Sequence, residues 1–233
     1  MRINKYLSQH GVCSKRAADR LILAGQVTVN GLAAEVGQRV DSQDEVWVKG
    51  QPINAKPKPI YLLYHKPVGV VCTHDRTVKA NLVDALDYPQ RVFAVGRLDK
   101  DSEGLLLLTN DGAIFNPILR AEHQHEKEYV VTVDHSITPE FLSTMASGVA
   151  ILNTTTLPCL VTQLSDRVFN IVLTQGLNLQ IRRMCQTLGY RVQKLQRIRI
   201  MHLKLGYLEA NQYRELSADE QADLGRRSKT CLD

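Results

Sequence analysis

The sequence predicts an α+β protein of two domains, built on a mixed, mostly antiparallel sheet flanked by helices. Three observations predict it. Short runs of alternating or β-branched apolar residues recur from residue 27 to residue 200. Helical segments interrupt them irregularly, without the strand–helix rhythm that builds a parallel sheet. A proline-rich stretch with no periodicity, "QPINAKPKPI", separates a basic amino-terminal unit from the rest. The expected division is residues 1–50, a linker at 51–59 and a larger domain at 60–233.

The first unit reads as helix, turn, helix and short strands. "INKYLSQHG" precedes "SKRAADRLILAG", where Ser14 is placed to cap a helix and Gly25 to end it. "QVTVNG" alternates and stops on Asn30-Gly31, a favoured two-residue hairpin turn. "EVWVKG" is a second alternating strand. The larger unit opens on "IYLLYHKPVGVVCT", a buried strand bending at Lys66-Pro67 and Gly69. "RVFAVG", "LLLLTNDG", "KEYVVTVD", "RVFNIVLTQG" and "KLQRIRIMHLKLG" follow as strands. Between them, "TPEFLSTMASGV" is a helix with Thr138 as cap and Pro139 in its first turn. "QIRRMCQTLGY" is a helix ended by Gly189, and Ser217 with Glu220 forms a capping box for a last helix.

The charge is uneven. The net formal charge is +5. Residues 1–59 hold nine Lys or Arg against five Asp or Glu, and the stretch from Arg182 to Lys204 holds seven basic residues and no acidic one. Two basic foci on an otherwise balanced chain point to a polyanionic partner, most simply nucleic acid, against the plainer reading of two solvated faces. Five widely spaced cysteines form no CxxC or CxxH pair, which argues against a disulfide frame or structural zinc and for reduced thiols in a cytoplasm. No apolar run approaches membrane-spanning length, and "MRINKYLSQHG" has no secretory core, so a cytoplasmic protein without a membrane partner is expected.

The segment "GRLDKDSEGLLLLTNDG", residues 96–112, sets three acids around one lysine. Asp99, Asp101, Glu103 and Gly104 fit the first half of a calcium loop, but Asn110 occupies the position that needs a bidentate glutamate, and the flanks favour strands. An aspartate that attacks a sugar carbon must be ionised, desolvated and aimed, and a buried carboxylate stays ionised only beside a cation. Arg97 is two residues from Asp99, and Arg182 or Arg183 could arrive from the second basic focus. A turn aspartate in "LDKD" fits the same spacing, so both readings stand at this point.

Arg2, Lys5, Lys15, Arg16 and Arg20 face a single acid, Asp19, before the first strand; two short helices could carry them as one phosphate-binding face, or as an ordinary amphipathic pair. Tyr129 could be a stacking platform for an unstacked base, or a rim residue of its strand. His123 and His125 would make a metal pair only with a third ligand, which nothing in the sequence places.

In combination these segments resemble one family. "GRLDKDSEGLLLLTNDG" looks like the catalytic motif of the RsuA-type ribosomal RNA pseudouridine synthases, residues 2–49 look like the S4 (αL-like) RNA-binding domain those enzymes carry, and "KPVGVVCT", "KEYVVTV" and "LNLQIRRM" match further markers in order. "HEKEYVVTVDHSIT", "QIRRMCQTLGY" and "RIRIM" most resemble the branch called ribosomal large-subunit pseudouridine synthase F.

The resemblance implies isomerisation of uridine to pseudouridine in RNA without a cofactor or metal. The target would be a stem-loop of 23S rRNA, with a tRNA anticodon arm as a second candidate. It implies Asp99 as the catalytic aspartate, Tyr129 stacked on the uracil, and Arg182 paired with Asp99. Arg97 and Arg183 would bind the RNA together with the five basic residues of the S4 domain, and Ile181 and Leu107 would be apolar wall or core. Leu179 departs from the family, where a polar or basic residue is usual. A monomer is the default expectation. The rival from another class is a non-catalytic RNA-binding or ribosome-assembly protein retaining the fold.

Overall fold

The computed structural model describes residues 1–53, 57–114, 117–118 and 125–229. Residues 54–56 of the expected linker, and His123, lie outside the described residues. The chain forms two compact units, one of Met1–Ile60 with Pro89–Arg91 and Asn110–Gly112, the other of the remaining residues.

In the first unit, α1 (Ile3–Gln9) and α2 (Lys15–Leu23) accompany a four-stranded sheet of β1 (Val27–Val29), β2 (Leu32–Ala33), β3 (Val46–Val48) and β4 (Gln51–Pro52), in the order β2-β1-β3-β4. The Ser14 hydroxyl accepts from the Ala17 amide at 3.2 Å and starts α2. Asn30 and Gly31 both take positive φ and close the β1–β2 hairpin, as the pair predicts. Ile3, Leu7, Ala18 and Ile22 bury one side of the helices against Val27, Val29, Val46 and Val48. Here the structure refines the reading of "QPINAKPKPI": Gln51 and Pro52 extend the sheet by pairing with Val48 and Trp47.

The second unit is a nine-stranded sheet. Its strands are β5 (Tyr61–Lys66), β6 (Phe93–Val95), β7 (Glu103–Thr109), β8 (Lys127–Val133), β11 (Leu160–Ser165), β12 (Val168–Leu173), β13 (Val192–Ile200), β14 (Leu203–Lys204) and β15 (Tyr213–Glu215). The main order is β11-β12-β8-β13-β7-β5-β15, with β6 on β7 and β14 on β13. A separate hairpin joins β9 (Ala150–Ile151) to β10 (Thr154–Thr155), and the helices are α3 (Leu82–Leu86), α4 (Pro139–Ser147), α5 (Gln180–Thr187) and α6 (Ala218–Lys229). Thr138 caps α4 through the Phe141 amide, and Ser217 and Glu220 cap α6 reciprocally, as their spacing predicts.

Two cores divide the sheet. Val131, Phe169 and Ile171 pack with Phe141 and Met145 of α4 and with Ile181 and Met184 of α5. Leu63, Leu105 and Leu107 pack with Ile200, Leu203 and Leu224. The four leucines 105–108 are wholly buried, because β7 lies inside the sheet and is covered on both faces. The halves meet where β7 and β13 pair in parallel, Glu103 with Gln196 and Gly104 with Arg197; the other pairings of this sheet are antiparallel among the described residues. Gly104 has φ +110°, and a Cβ there would sit 2.3 Å from the Arg197 carbonyl oxygen. Only glycine lets the strands meet at this seam.

Candidate active site

The seam opens into a cleft of about 470 Å³ within the second unit. Asp99, Arg97, Tyr129, Arg182, Ile181 and Leu179 all line it. Four predicted chemical groups, far apart in sequence, therefore share one cavity. A larger concavity of about 840 Å³ lies in the first unit, but Asp41, Asp44 and Glu45 line it with the wrong charge for phosphates.

Asp99 sits in a tight turn immediately before β7, closed by the Ser102 amide donating to the Asp99 carbonyl at 3.1 Å. The turn reading of "LDKD" is realised, and the turn places Asp99 at the cleft. The acids of this run separate. Glu103 pairs with Lys194 at 3.1 Å, and Asp101 is exposed, using its backbone carbonyl toward Arg182. The turn is held from behind by "KPVG". The fully buried Lys66 ammonium donates to the carbonyls of Pro67 and Val70 at 2.8 Å each and reaches that of Lys100 at 3.5 Å, while the Gly69 amide donates to Lys100 at 2.8 Å. Burial pushes Lys66 below the ordinary lysine range; Cys72 and the three acids Asp99, Asp101 and Glu103 pull it back up. In sequence the acids surround Lys100, and in the fold their charges act on Lys66.

Arg182 reaches this turn from α5, but not as expected. Its Nη2 donates to the Asp101 carbonyl at 2.7 Å and to the buried Ser102 hydroxyl at 3.2 Å, and its buried Nε has no acceptor. Among the described residues no ion pair within 4.0 Å joins it to the Asp99 carboxylate. The expected Arg182–Asp99 pair is therefore replaced here by a clamp on the backbone of the turn that carries Asp99. One guanidinium nitrogen, Nη2, serves both oxygens of the turn.

Tyr129 lies on β8 opposite Arg197 of β13 and Ile171 of β12, packed against the first core. Arg97 is exposed at the cleft. Arg183 turns to its own loop, donating from Nε to the Asn178 carbonyl at 3.1 Å and from Nη2 to its side-chain oxygen at 3.2 Å. Leu107 belongs to the core behind β7, so of the two expected apolar residues only Ile181 forms cleft wall. The loop over the cleft is organised by buried Gln180, whose Oε1 accepts from the Leu177 amide at 2.9 Å. Leu179, at φ 52°, starts α5 from a left-handed conformation unusual for a branched residue. Arg2, Lys5, Lys15, Arg16 and Arg20 are all exposed on the first unit, and Asp19 is engaged by the Asn4 amide at 2.9 Å. His125 lies near Pro117, whose carbonyl is 3.0 Å from its Nε2.

Sequence reasoning missed Lys66, Ser102, Gln180, Lys127 and Arg197. A lysine inside an apolar strand run was the available signal for Lys66, and the absence of a nearby acid the available signal for Arg197.

Residues 60–187 match the family model described as RNA pseudouridylate synthase, and residues 1–46 match the S4 domain. The chain is 48% identical over 226 residues to the Escherichia coli K12 protein named dual-specificity RNA pseudouridine synthase RluF, covering 96% of this chain and 78% of that protein. It is 33% identical to the Bacillus subtilis ribosomal large subunit pseudouridine synthase B, covering 94% and 93%. A crystal structure of a pseudouridylate synthase superposes with a TM-score of 0.70 at 26% identity, covering 97% of this chain and 99% of that one.

Proposed function

The chain belongs to the RNA pseudouridylate synthase family and isomerises uridine to pseudouridine in RNA, and on that premise we propose that Asp99 acts on the ribose of the target nucleotide. The observation that carries the assignment is the shared cleft: one carboxylate, Asp99, lies beside Tyr129 and four basic side chains, Arg97, Lys127, Arg182 and Arg197. A ribose offers C1′ to a carboxylate, a base offers a face to Tyr129, and the RNA backbone offers charge to Arg97. The N1–C1′ bond breaks, the uracil turns while held, and C5 bonds to the same carbon. Unstacking the target costs a few kcal/mol, which contacts to a folded RNA can offset.

We propose a stem-loop of 23S rRNA as the substrate. This rests on the resemblance to the large-subunit branch and on the name of the B. subtilis relative. The dual specificity in the E. coli relative's name motivates testing a tRNA anticodon arm as a second substrate. Arg2, Lys5, Lys15, Arg16 and Arg20 would anchor the RNA through the S4 domain. We take a monomer as the default, and the four free cysteines among the described residues fit a reducing cytoplasm. Among them no helix is long and apolar enough to cross a membrane.

The test is to incubate the protein with 23S rRNA from cells lacking the enzyme and map pseudouridine by carbodiimide-dependent reverse-transcription stops. New stops are expected with wild type and none with Asp99→Asn, whose RNA affinity should be retained. An Asp99→Asn protein that still forms pseudouridine refutes the role of Asp99. A wild-type protein that forms none, on rRNA or tRNA, refutes the substrate assignment.

A further inference from the structure

Two cations of the cleft, buried Arg197 and half-buried Lys127, have no part in the steps described so far. Lys127 and Tyr129 share one face of β8, and Arg197 faces them from β13, where it pairs with Tyr129. Arg197 is 4% exposed and lines the cleft. Its Nε donates to the Leu105 carbonyl at 2.7 Å, and its buried Nη2 has no partner. The Lys127 ammonium is held by the carbonyls of His125 at 3.0 Å and Thr174 at 3.3 Å. Among the described residues neither cation has a carboxylate within ion-pair distance.

Arg199, two residues along the same strand, shows the contrast. It is paired with Glu126 at 2.9 Å and Glu128 at 2.6 Å. A bulge between Arg197 and Arg199 interrupts the register with β8. The neutralised arginine and the unneutralised one thus serve different surroundings. Burial, and then the Arg197 charge, push Lys127 below the ordinary lysine range, so keeping two such cations together costs stability. A site that tolerates this cost is built to receive negative charge.

We propose that Lys127 and Arg197 form a cationic floor that stabilises the uracil ring as it departs from the sugar. The proposal rests on the reading of this cleft as the isomerisation site. When N1–C1′ breaks, its electron pair leaves with the ring, which carries one negative charge spread over N1, O2 and O4. Asp99 either attacks C1′ or removes a sugar proton, and both routes expel the ring with that pair. C5 then supplies the electrons of the new bond to C1′ while the Asp99–C1′ bond breaks with its pair returning to the carboxylate, or, on the other route, while Asp99 returns the proton to the sugar carbon. C5 gives up its proton to water, N1 takes one proton from water, and the product is an isomer. Fixed donors aimed at a developing anion are worth more in a desolvated site than in water.

Lys127 is the residue to test, because it is less buried than Arg197, whose backbone pairs with Gly104 at the seam and whose side chain holds the Leu105 carbonyl. Two transcripts of the target stem-loop are prepared, one with uridine and one with 5-fluorouridine, whose ring anion is intrinsically more stable. Loss of the N-glycoside is followed at saturating protein in single-turnover reactions by nuclease digestion and chromatography. Lys127→Met should slow the uridine transcript about a hundredfold. The deficit should be severalfold smaller on the fluorinated transcript, and Lys127→Arg should restore most of the rate on uridine. Comparing two RNAs within one variant cancels any loss of folded protein.

Equal deficits on both transcripts would overturn the proposal. So would a defect confined to RNA affinity, the signature of a phosphate contact, or a Lys127→Arg protein as slow as Lys127→Met. A wild-type protein inactive on both transcripts would instead sink the reading of the cleft itself.

Discussion

Replacing Gly104 by alanine probes the seam on which the whole site depends. The new Cβ would lie 2.3 Å from the Arg197 carbonyl oxygen and 2.6 Å from its amide nitrogen. Carbon–oxygen contacts ordinarily close to about 3.3 Å, so the two strands must part by about 1 Å. The backbone angle, φ +110°, adds about 1–3 kcal/mol of strain to a residue with a side chain. Displacing a packed strand adds about 1–3 kcal/mol more. A mid-range loss of about 4 kcal/mol lowers the melting temperature of a domain of this size by about 8–16 °C. The remaining folded protein should also be slow. The parallel pairs Gly104–Arg197 and Glu103–Gln196 fix the start of β7, and the Asp99 turn enters directly from there. Differential scanning calorimetry and single-turnover conversion of the target RNA read the two effects separately. A melting temperature within about 2 °C of wild type, with an unchanged rate, would show that the seam gives way freely and that the argument from close approach is wrong.

Three further outcomes follow from the same geometry. Lys66→Met removes the ammonium that binds the carbonyls of Pro67 and Val70; stranding them should cost about 1–3 kcal/mol in urea titrations and slow the chemical step, while RNA affinity is kept. Glu220, held by Arg214 and by the Ser217 amide, has its carboxyl lowered to about 2 from 4.5. Its contribution is therefore complete above the unfolded value and lost as pH falls toward 2. Glu220→Gln should be less stable by about 0.5–1 kcal/mol at neutral pH, with the gap closing in acid melts. Finally, Arg16→Gln with Arg20→Gln should flatten the slope of log affinity against log salt by about 1.5 in filter-binding titrations, because each phosphate contact releases counterions.

Where a local rule decides an element, the sequence was legible. Ser14, Thr138 and the Ser217–Glu220 box start their helices as their chemistry requires, and Asn30-Gly31 turns the first hairpin. Elements shorter than a periodicity window were missed. The five-residue helix α3 depends on Asn81 accepting from the Asp84 amide, and β15 on its pairing with β5. β11 is an edge strand with most of its residues exposed, so no alternation marks it. The parallel seam was invisible, because it joins residues more than ninety positions apart and its only local trace is the glycine at 104. The residues Asp99, Tyr129 and Arg182 could be named as a set, but not the bond between them. Whether an arginine meets a carboxylate or the backbone beside it is settled by turn geometry, which spacing does not encode.

The basic focus between Arg182 and Lys204 shows how a fold divides what composition presents as one feature. Lys194 and Arg199 are spent on Glu103, Glu126 and Glu128, and Arg183 on Asn178. Arg182 grips the turn that aims Asp99, and Arg197 lies in the cleft with its charge unmatched. All five side chains have structural partners, but Arg197, bonded through Nε to the Leu105 carbonyl, keeps its Nη2 free at the cleft. The same division applies to the acids of residues 99–103: Glu103 anchors β13, Asp101 lends its carbonyl to Arg182, and Asp99 alone reaches the cavity. Several cations line the cleft around this one carboxylate, so none of them need be its dedicated partner. Arg182 can then keep its grip on the turn, and the turn that carries Asp99 is held by residues other than those left facing the cavity.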